Sequence, residues 1–311
     1  MNLRALSKSR KQFMVSRILP KNERKNWTFI ANLFYAKTFF SIKGSPQQGE
    51  FFYKEYQLNH LIGNLKIPYV ALIDGITMGG GVGLSVHAPY RVATSKTLFA
   101  MPETGIGLIP DVGGSHFLPR LEGELGTYLA LTGQRLKGSD CLHAGLATHA
   151  CTDIEAVKND LFEAQDQGDV EAILEKHLEN FDEDSFSLED KLPLIDECFK
   201  EDTVEAIIEN LKKVDDDWSK KTVKLMGRMS PISMKVTLQM VRSGKELSLE
   251  DCLKMEYRLV RRCCQDSDFY EGTYTYLLKF SIFKLLAAAG SFISLKLLLL
   301  SFSHLFQFLL I

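Results

Sequence analysis

Residues 68–114 read PYVALIDGITMGGGVGLSVHAPYRVATSKTLFAMPETGIGLIPDVGG. Pro68 disfavours helical geometry in the residue before it. The run YVALIDG from Tyr69 is a short apolar segment of strand length, expected to be buried. Gly79, Gly80 and Gly81 then let the backbone turn tightly and approach a ligand. Val82, Leu84 and Val86 follow as a short helix or turn. YRVATSKTLFAMPE reads as two short strands around Ser95 and Lys96, and TGIGLIPDVGG as a loop rich in Gly and Pro. Strand, glycine turn, helix and strand again make this an α/β protein.

On the N-terminal side, FFYKEYQLNHLIGNL spaces Phe51, Phe52, Leu58, Leu61, Ile62 and Leu65 as a helix with one apolar side. On the C-terminal side, the apolar periodicity from Ser115 (Phe117, Leu118, Leu121, Leu125, Tyr128, Leu129) predicts one helix. Beyond Asp153 helical spacing recurs over 153–165, 170–180, 188–213, 215–228, 231–242 and 247–264. The acidic run from Asp182 to Asp190 reads as a solvated loop. There is no internal repeat.

The chain has 311 residues, with 37 Lys+Arg against 39 Asp+Glu. That balance lacks the basic excess of a nucleic-acid binder. Six cysteines without a CxxC pair argue against a disulfide scaffold or a zinc cluster and for reduced thiols. The two ends are unusual. Residues 1–43 are a basic leader, with eight Lys or Arg by Lys25 against Glu23 alone; they read as an exposed leader or a mitochondrial presequence. From Gly272 to Ile311 there is no acid, and 285–311 carries one charge, Lys296. That segment is long enough to span a bilayer and give membrane contact. A buried core helix is the competing reading.

Two features suggest chemistry. A strand–glycine–helix unit at Gly79–Gly81 is either a tight turn or a device that aims a free N–H, with the helix dipole, at an oxygen gaining charge. It fits neither GxxxxGK[ST] nor GxGxxG. Glu103 and Asp111 are either solvated loop carboxylates or, with apolar neighbours, groups whose raised pKa suits proton transfer. His87 and His116 lack a metal-ligand pattern, and no GxSxG elbow is present.

The stretch from Pro68 to His149 resembles the crotonase superfamily. It is most similar to its 3-hydroxyisobutyryl-CoA hydrolase branch, through ITMGGGVGLSVH, FAMPETGIGLIPDVGG and a helical extension with ECFKEDTVEAIIENL, MSPISMKVTLQ, MEYRL and DFYEG. The resemblance covers about 44 to 272. It implies a crotonase-like spiral of ββα units and hydrolysis of a 3-hydroxyacyl-CoA in valine catabolism. It implies no metal or redox cofactor, coenzyme A being part of the acyl-CoA substrate. Gly80, beside Gly79, matches the glycine whose N–H binds the thioester oxygen. Glu103 and Asp111 match the two catalytic carboxylates, and Glu55 a substrate-contact glutamate. Enoyl-CoA hydratase or isomerase activity, or an impaired member, are the alternatives. The family's N-A-L and F-C-A-G-G-D segments do not occur here, and TYTYLLKFSIFKLL replaces its usual ending. The spiral is therefore expected to lack its first strands, and both departures resemble joins of an alternative transcript. The expected order is a leader (1–43), a crotonase-like core (44–152), a helical part of the same domain (153–272) and an apolar tail (273–311). A mitochondrial or peroxisomal site and a homo-oligomer are further implications of the resemblance.

Overall fold

β2 (Tyr69–Ile73) is buried along its whole length, because both of its faces are covered. Val70 and Leu72 join a cluster with Ile154, Val157, Leu161 and Leu174. Tyr69, Ala71 and Ile73 pack with Ile62 and Ala88 on the opposite face. A parallel strand covered on both sides is apolar throughout rather than alternating.

The computed structural model describes residues 46–178 and 186–273, together with the backbone of 14–17. β2 lies in a four-stranded parallel sheet with β1 (Met14–Arg17), β4 (Tyr90–Ala93) and β7 (His149–Ala150), in the order β1-β2-β4-β7. A second sheet holds β3 (Ile76–Met78), β5 (Leu98–Ala100) and β6 (Leu136–Lys137). There β3 and β5 are parallel, and β6 runs antiparallel to β5. The pairs β2-β3 and β4-β5 each give one strand to each sheet before the chain turns, the ββα spiral of the crotonase-like fold. After β3 the chain enters α2 (Gly80–Gly83), and after β5 the 3-10 turn Glu103–Ile106.

Within residues 1–43, Met14–Arg17 pairs in parallel with β2, Met14 opposite Tyr69 and Arg17 opposite Leu72. An open β2 edge would leave a row of backbone groups without partners, and β1 takes that place. The rest of the leader and the segment 285–311 lie outside the described residues, and so do the presequence and bilayer-span expectations. Among the described residues, no helix is long and apolar enough to cross a membrane.

The helices follow the periodicity with two breaks. α1 (Pro46–Gly63) covers the expected amphipathic stretch. The single helix expected from Ser115 is instead α3 (Gly114–Phe117), a 3-10 turn Leu118–Arg120 and α4 (Leu125–Thr132). Leu121 is extended, and Gly123 has φ 53, which stops helical continuation. α5 (Ser139–His143) precedes β7, and α6 (Ile154–Leu161) and α7 (Gln167–Lys176) cover the outer sheet face. The stretch 188–213 divides into α8 (Leu192–Phe199) and α9 (Val204–Val214), because Thr203 caps a new helix by accepting from the Ala206 N–H. α10 (Asp217–Met226), α11 (Pro231–Gly244) and α12 (Leu249–Cys263) complete the extension. Residues 267–273 are also helical. One apolar core, including Val82, Met101, Leu129, Phe199, Leu238 and Val260, runs from the spiral into these helices. All six cysteines are free thiols.

Candidate active site

Glu103 opens the 3-10 turn after β5 and is 6% exposed; Asp111, in the next turn, is 4% exposed. The solvated-loop alternative is thereby excluded for both. Glu103 Oε2 has no hydrogen-bond partner. Burial pushes its carboxyl well above the ordinary range, and the charges of Asp111 and Glu55 push it further. Burial also raises Asp111, to about 6, against the hydroxyl of Tyr56, which donates to Oδ2 at 2.6 Å and favours the ionised form. The two carboxyls act as a pair, burial raising both.

The glycine turn faces this pair. Gly79 has φ 52, open to glycine and costly for other residues. A Cβ built there would sit 3.6 Å from Glu103 Oε1. Gly79 O accepts from the N–H groups of Val82 and Gly83. The N–H groups of Gly80 and Gly81 precede those bonds and have no acceptor within the turn. The short α2 therefore presents backbone donors beside a buried acid, an arrangement suited to stabilising negative charge on a carbonyl oxygen. Glu55 lies half-buried on α1, beside Tyr56, close enough for its charge to raise both Tyr56 and Glu103. Of the five expected site residues, Gly79 approaches Glu103, Gly80 follows it on the turn, and Asp111 and Glu55 lie close enough to Glu103 for their charges to act on it.

Three further residues contact the Asp111 turn: Tyr56 follows Glu55 on α1, His87 closes the ITMGGGVGLSVH stretch and Glu256 lies within MEYRL, and the sequence reading gives none of them a role. Tyr56 is buried, and burial and the charge of Asp111 raise its phenol well above the ordinary range. His87 is pulled down to about 4 by burial; it is neutral near pH 7 and donates Nε2–H to the Val112 carbonyl at 2.7 Å. Glu256 of α12 is fully buried, and its carboxylate accepts from Gly113 N, Ser115 N and Ser115 Oγ. Burial pushes Glu256 up to about 8, while those donors pull it back. The signal for Glu256 lies in spacing. It shares the buried face of α12 with Cys252, Leu253 and Val260, so it is a charge where the helical period calls for an apolar residue.

The helical extension also holds the Glu103 turn. Ser230 N donates to Thr104 O at 2.9 Å, and Ser230 Oγ to Asp268 Oδ2 at 2.6 Å. A Cβ on Gly107, at φ 75, would meet the Asp268 backbone at 2.4 Å. A cavity of about 460 Å³ lies between His87, Arg91, His116 and Arg120, and neither Glu103 nor Asp111 lines it. No group of three or more metal-ligating side chains comes together among the described residues.

Residues 36–279 match the enoyl-CoA hydratase/isomerase family. The chain is 50% identical over 229 residues to the mitochondrial 3-hydroxyisobutyryl-CoA hydrolase of Danio rerio, covering 71% of this chain and 60% of that one. It is 49% identical over 229 residues to the Homo sapiens protein of the same name, covering 71% and 59%. The chain therefore spans about 60% of the length of these curated relatives. Among solved structures, a carnitinyl-CoA dehydratase from Mycobacterium thermoresistibile aligns with TM-score 0.69 and 39% identity, over 74% of this chain and 67% of that one. An enoyl-CoA hydratase from Rhodobacter sphaeroides 2.4.1 aligns with TM-score 0.66 and 30% identity, over 86% and 72%.

Proposed function

The chain belongs to the enoyl-CoA hydratase/isomerase family, and within it we propose that it hydrolyses 3-hydroxyisobutyryl-CoA to 3-hydroxyisobutyrate and coenzyme A. The observation that carries this reading is the buried Glu103–Asp111 pair beside the donors of the glycine turn. Similarity to the mitochondrial hydrolases supports this acyl group and the mitochondrion as the proposed compartment.

In the proposed reaction the Gly80 N–H polarises the thioester carbonyl and takes up charge as the acyl carbon becomes tetrahedral. Glu103, once ionised, has two routes. As a base it takes a proton from water, whose oxygen bonds to the acyl carbon while the C–S bond breaks. As a nucleophile it forms an acyl–Glu103 anhydride, expels the thiolate, and is regenerated by water. Asp111 holds the 3-hydroxyl or passes the proton to the leaving thiolate. Glu55 contacts substrate at the rim. Hydrolysis moves no net electrons, so the reaction calls for no redox cofactor. The apolar segment 285–311 is proposed to add membrane contact, tested by carbonate-washed cell fractions.

The test is thiol release from 3-hydroxyisobutyryl-CoA beside hydration of crotonyl-CoA. Thiol release with negligible hydration is expected. Hydration without thiol release assigns the site to hydratase chemistry, and neither activity identifies an impaired member.

A further inference from the structure

The turn after Asp111 is strained. Val112 is β-branched and buried, yet has φ 52, a region such residues rarely adopt. A conformation of this kind persists only where its surroundings over-determine it. Three contacts do so. His87 donates to the Val112 carbonyl at 2.7 Å. The Val112 side chain presses on α2, where a Cβ on Gly83 would lie 2.7 Å from Val112 Cβ. Glu256 accepts the Gly113 and Ser115 amides at 2.8 Å each, and the Ser115 hydroxyl at 2.6 Å.

The Glu256 contacts are the informative ones. A fully buried carboxylate is a poor way to gain stability, since apolar packing at such a position is often at least as stable. Its two oxygens instead collect donors from consecutive parts of one turn, whose Gly114 N–H also closes on Asp111 O at 2.9 Å. We propose that Glu256 is the positioning residue for Asp111, its carboxylate fixing the turn from which Asp111 reaches the reacting groups. For its catalytic consequence this rests on the hydrolase reading; its geometry does not.

The test compares Glu256→Gln, Asp111→Asn and the double variant in the full chain. It follows thiol release, thermal midpoint and hydrogen–deuterium exchange of residues 111–115. Gln leaves one acceptor oxygen and turns an amide N–H₂ toward a backbone donor. Displacement of a group by about 1 Å costs up to about 100-fold in rate, so Glu256→Gln should lower kcat about 10–100-fold with little change in KM. In the Asp111→Asn background it should lower kcat no further, because it acts only through Asp111. Exchange at 113 and 115 should accelerate. Ser115→Ala removes a single donor and should give the same pattern, a few-fold in size, if Glu256→Gln does not fold. An equal kcat loss in both backgrounds, or unchanged exchange at 113 and 115, overturns the proposal. A wild-type chain without thiol release, but with faster exchange in Glu256→Gln, removes the hydrolase reading and leaves the positioning role supported.

Discussion

Tyr56 donates its hydroxyl to Asp111 Oδ2 at 2.6 Å across 55 residues of sequence. The bond favours the ionised form of Asp111 against a burial effect that raises it. Removing the phenol should therefore raise Asp111 further. A hydrogen bond to a charged group contributes about 1.5–3 kcal/mol, which is about one to two pKa units. Tyr56→Phe should move the rising limb of the pH–rate profile upward by about one unit. At about pH 6 the rate should fall about fivefold, with recovery at alkaline pH. An unmoved limb would separate Tyr56 from Asp111 ionisation.

Glu103→Gln keeps the side-chain shape and removes the ionisable oxygen. Thiol release should fall at least about 100-fold, the lower end for a lost acid–base group. The fold should tolerate the change, since the variant no longer ionises a buried carboxyl with an unpartnered oxygen. Asp111→Asn should also be impaired, more in kcat than in KM. Near-normal turnover in Glu103→Gln would displace Glu103 from the centre of the chemistry.

The raised carboxyls fix the sign of the pH dependence of stability. Each binds its proton more tightly folded than unfolded, so stability falls as pH rises between the two values. For Asp111 that window runs from 3.8 to about 6, and for Glu256 from 4.5 to about 8. Glu103 shifts in the same direction. The thermal midpoint should thus decline from about pH 5 to about pH 8, while activity rises as the pair loses its proton. Scanning calorimetry across this range checks it. Glu256→Gln should flatten the upper part of the decline, and a midpoint that climbs with pH would contradict the assignment.

Gly107→Ala tests the clasp between the Glu103 turn and the C-terminal helical residues. The left-handed φ of 75 and a Cβ 2.4 Å from the Asp268 backbone leave no room for a methyl group. The left-handed conformation costs roughly 1–2 kcal/mol and overpacking typically about 1–3 kcal/mol. Denaturant titration should register a loss of at least about 2 kcal/mol, with a further drop in kcat if the Glu103 turn shifts. Wild-type stability would place Asp268 away from Gly107.

The alternating strands and the glycine turn were legible because their signals are local, whereas the spiral and the roles of Glu103 and Asp111 were implied by the family resemblance. Gly79–Gly81 behind an apolar run, and Glu103 and Asp111 among Pro, Gly and apolar neighbours, read within a few residues of themselves. What stayed hidden depends on contacts between distant segments. Tyr56 reads as one of several aromatics on α1, and only the Asp111 contact gives it a role. Glu256, inside MEYRL, is out of place as a charge on the apolar face of α12, but its partners Gly113 and Ser115 are set only when α12 docks on α1 and α3. The break at Thr203 was available as a cap residue inside an otherwise helical period. β1 lacks the apolar richness of β2, and its strand geometry follows from the neighbour it pairs with.

Glu256 lies 143 residues beyond Gly113. At about 5–20 residues per second of synthesis, the strained Val112 turn leaves the ribosome on the order of ten seconds or more before the carboxylate that holds it. The strands can pair during that interval, but the carboxyl pair has neither its clasp at Asp268 nor its anchor at Glu256. A nascent chain would therefore acquire its sheets early and its chemistry last. Premature release before Glu256 would leave Glu103 and Asp111 without the contacts of α12 and Asp268, and part of the shared apolar core uncovered.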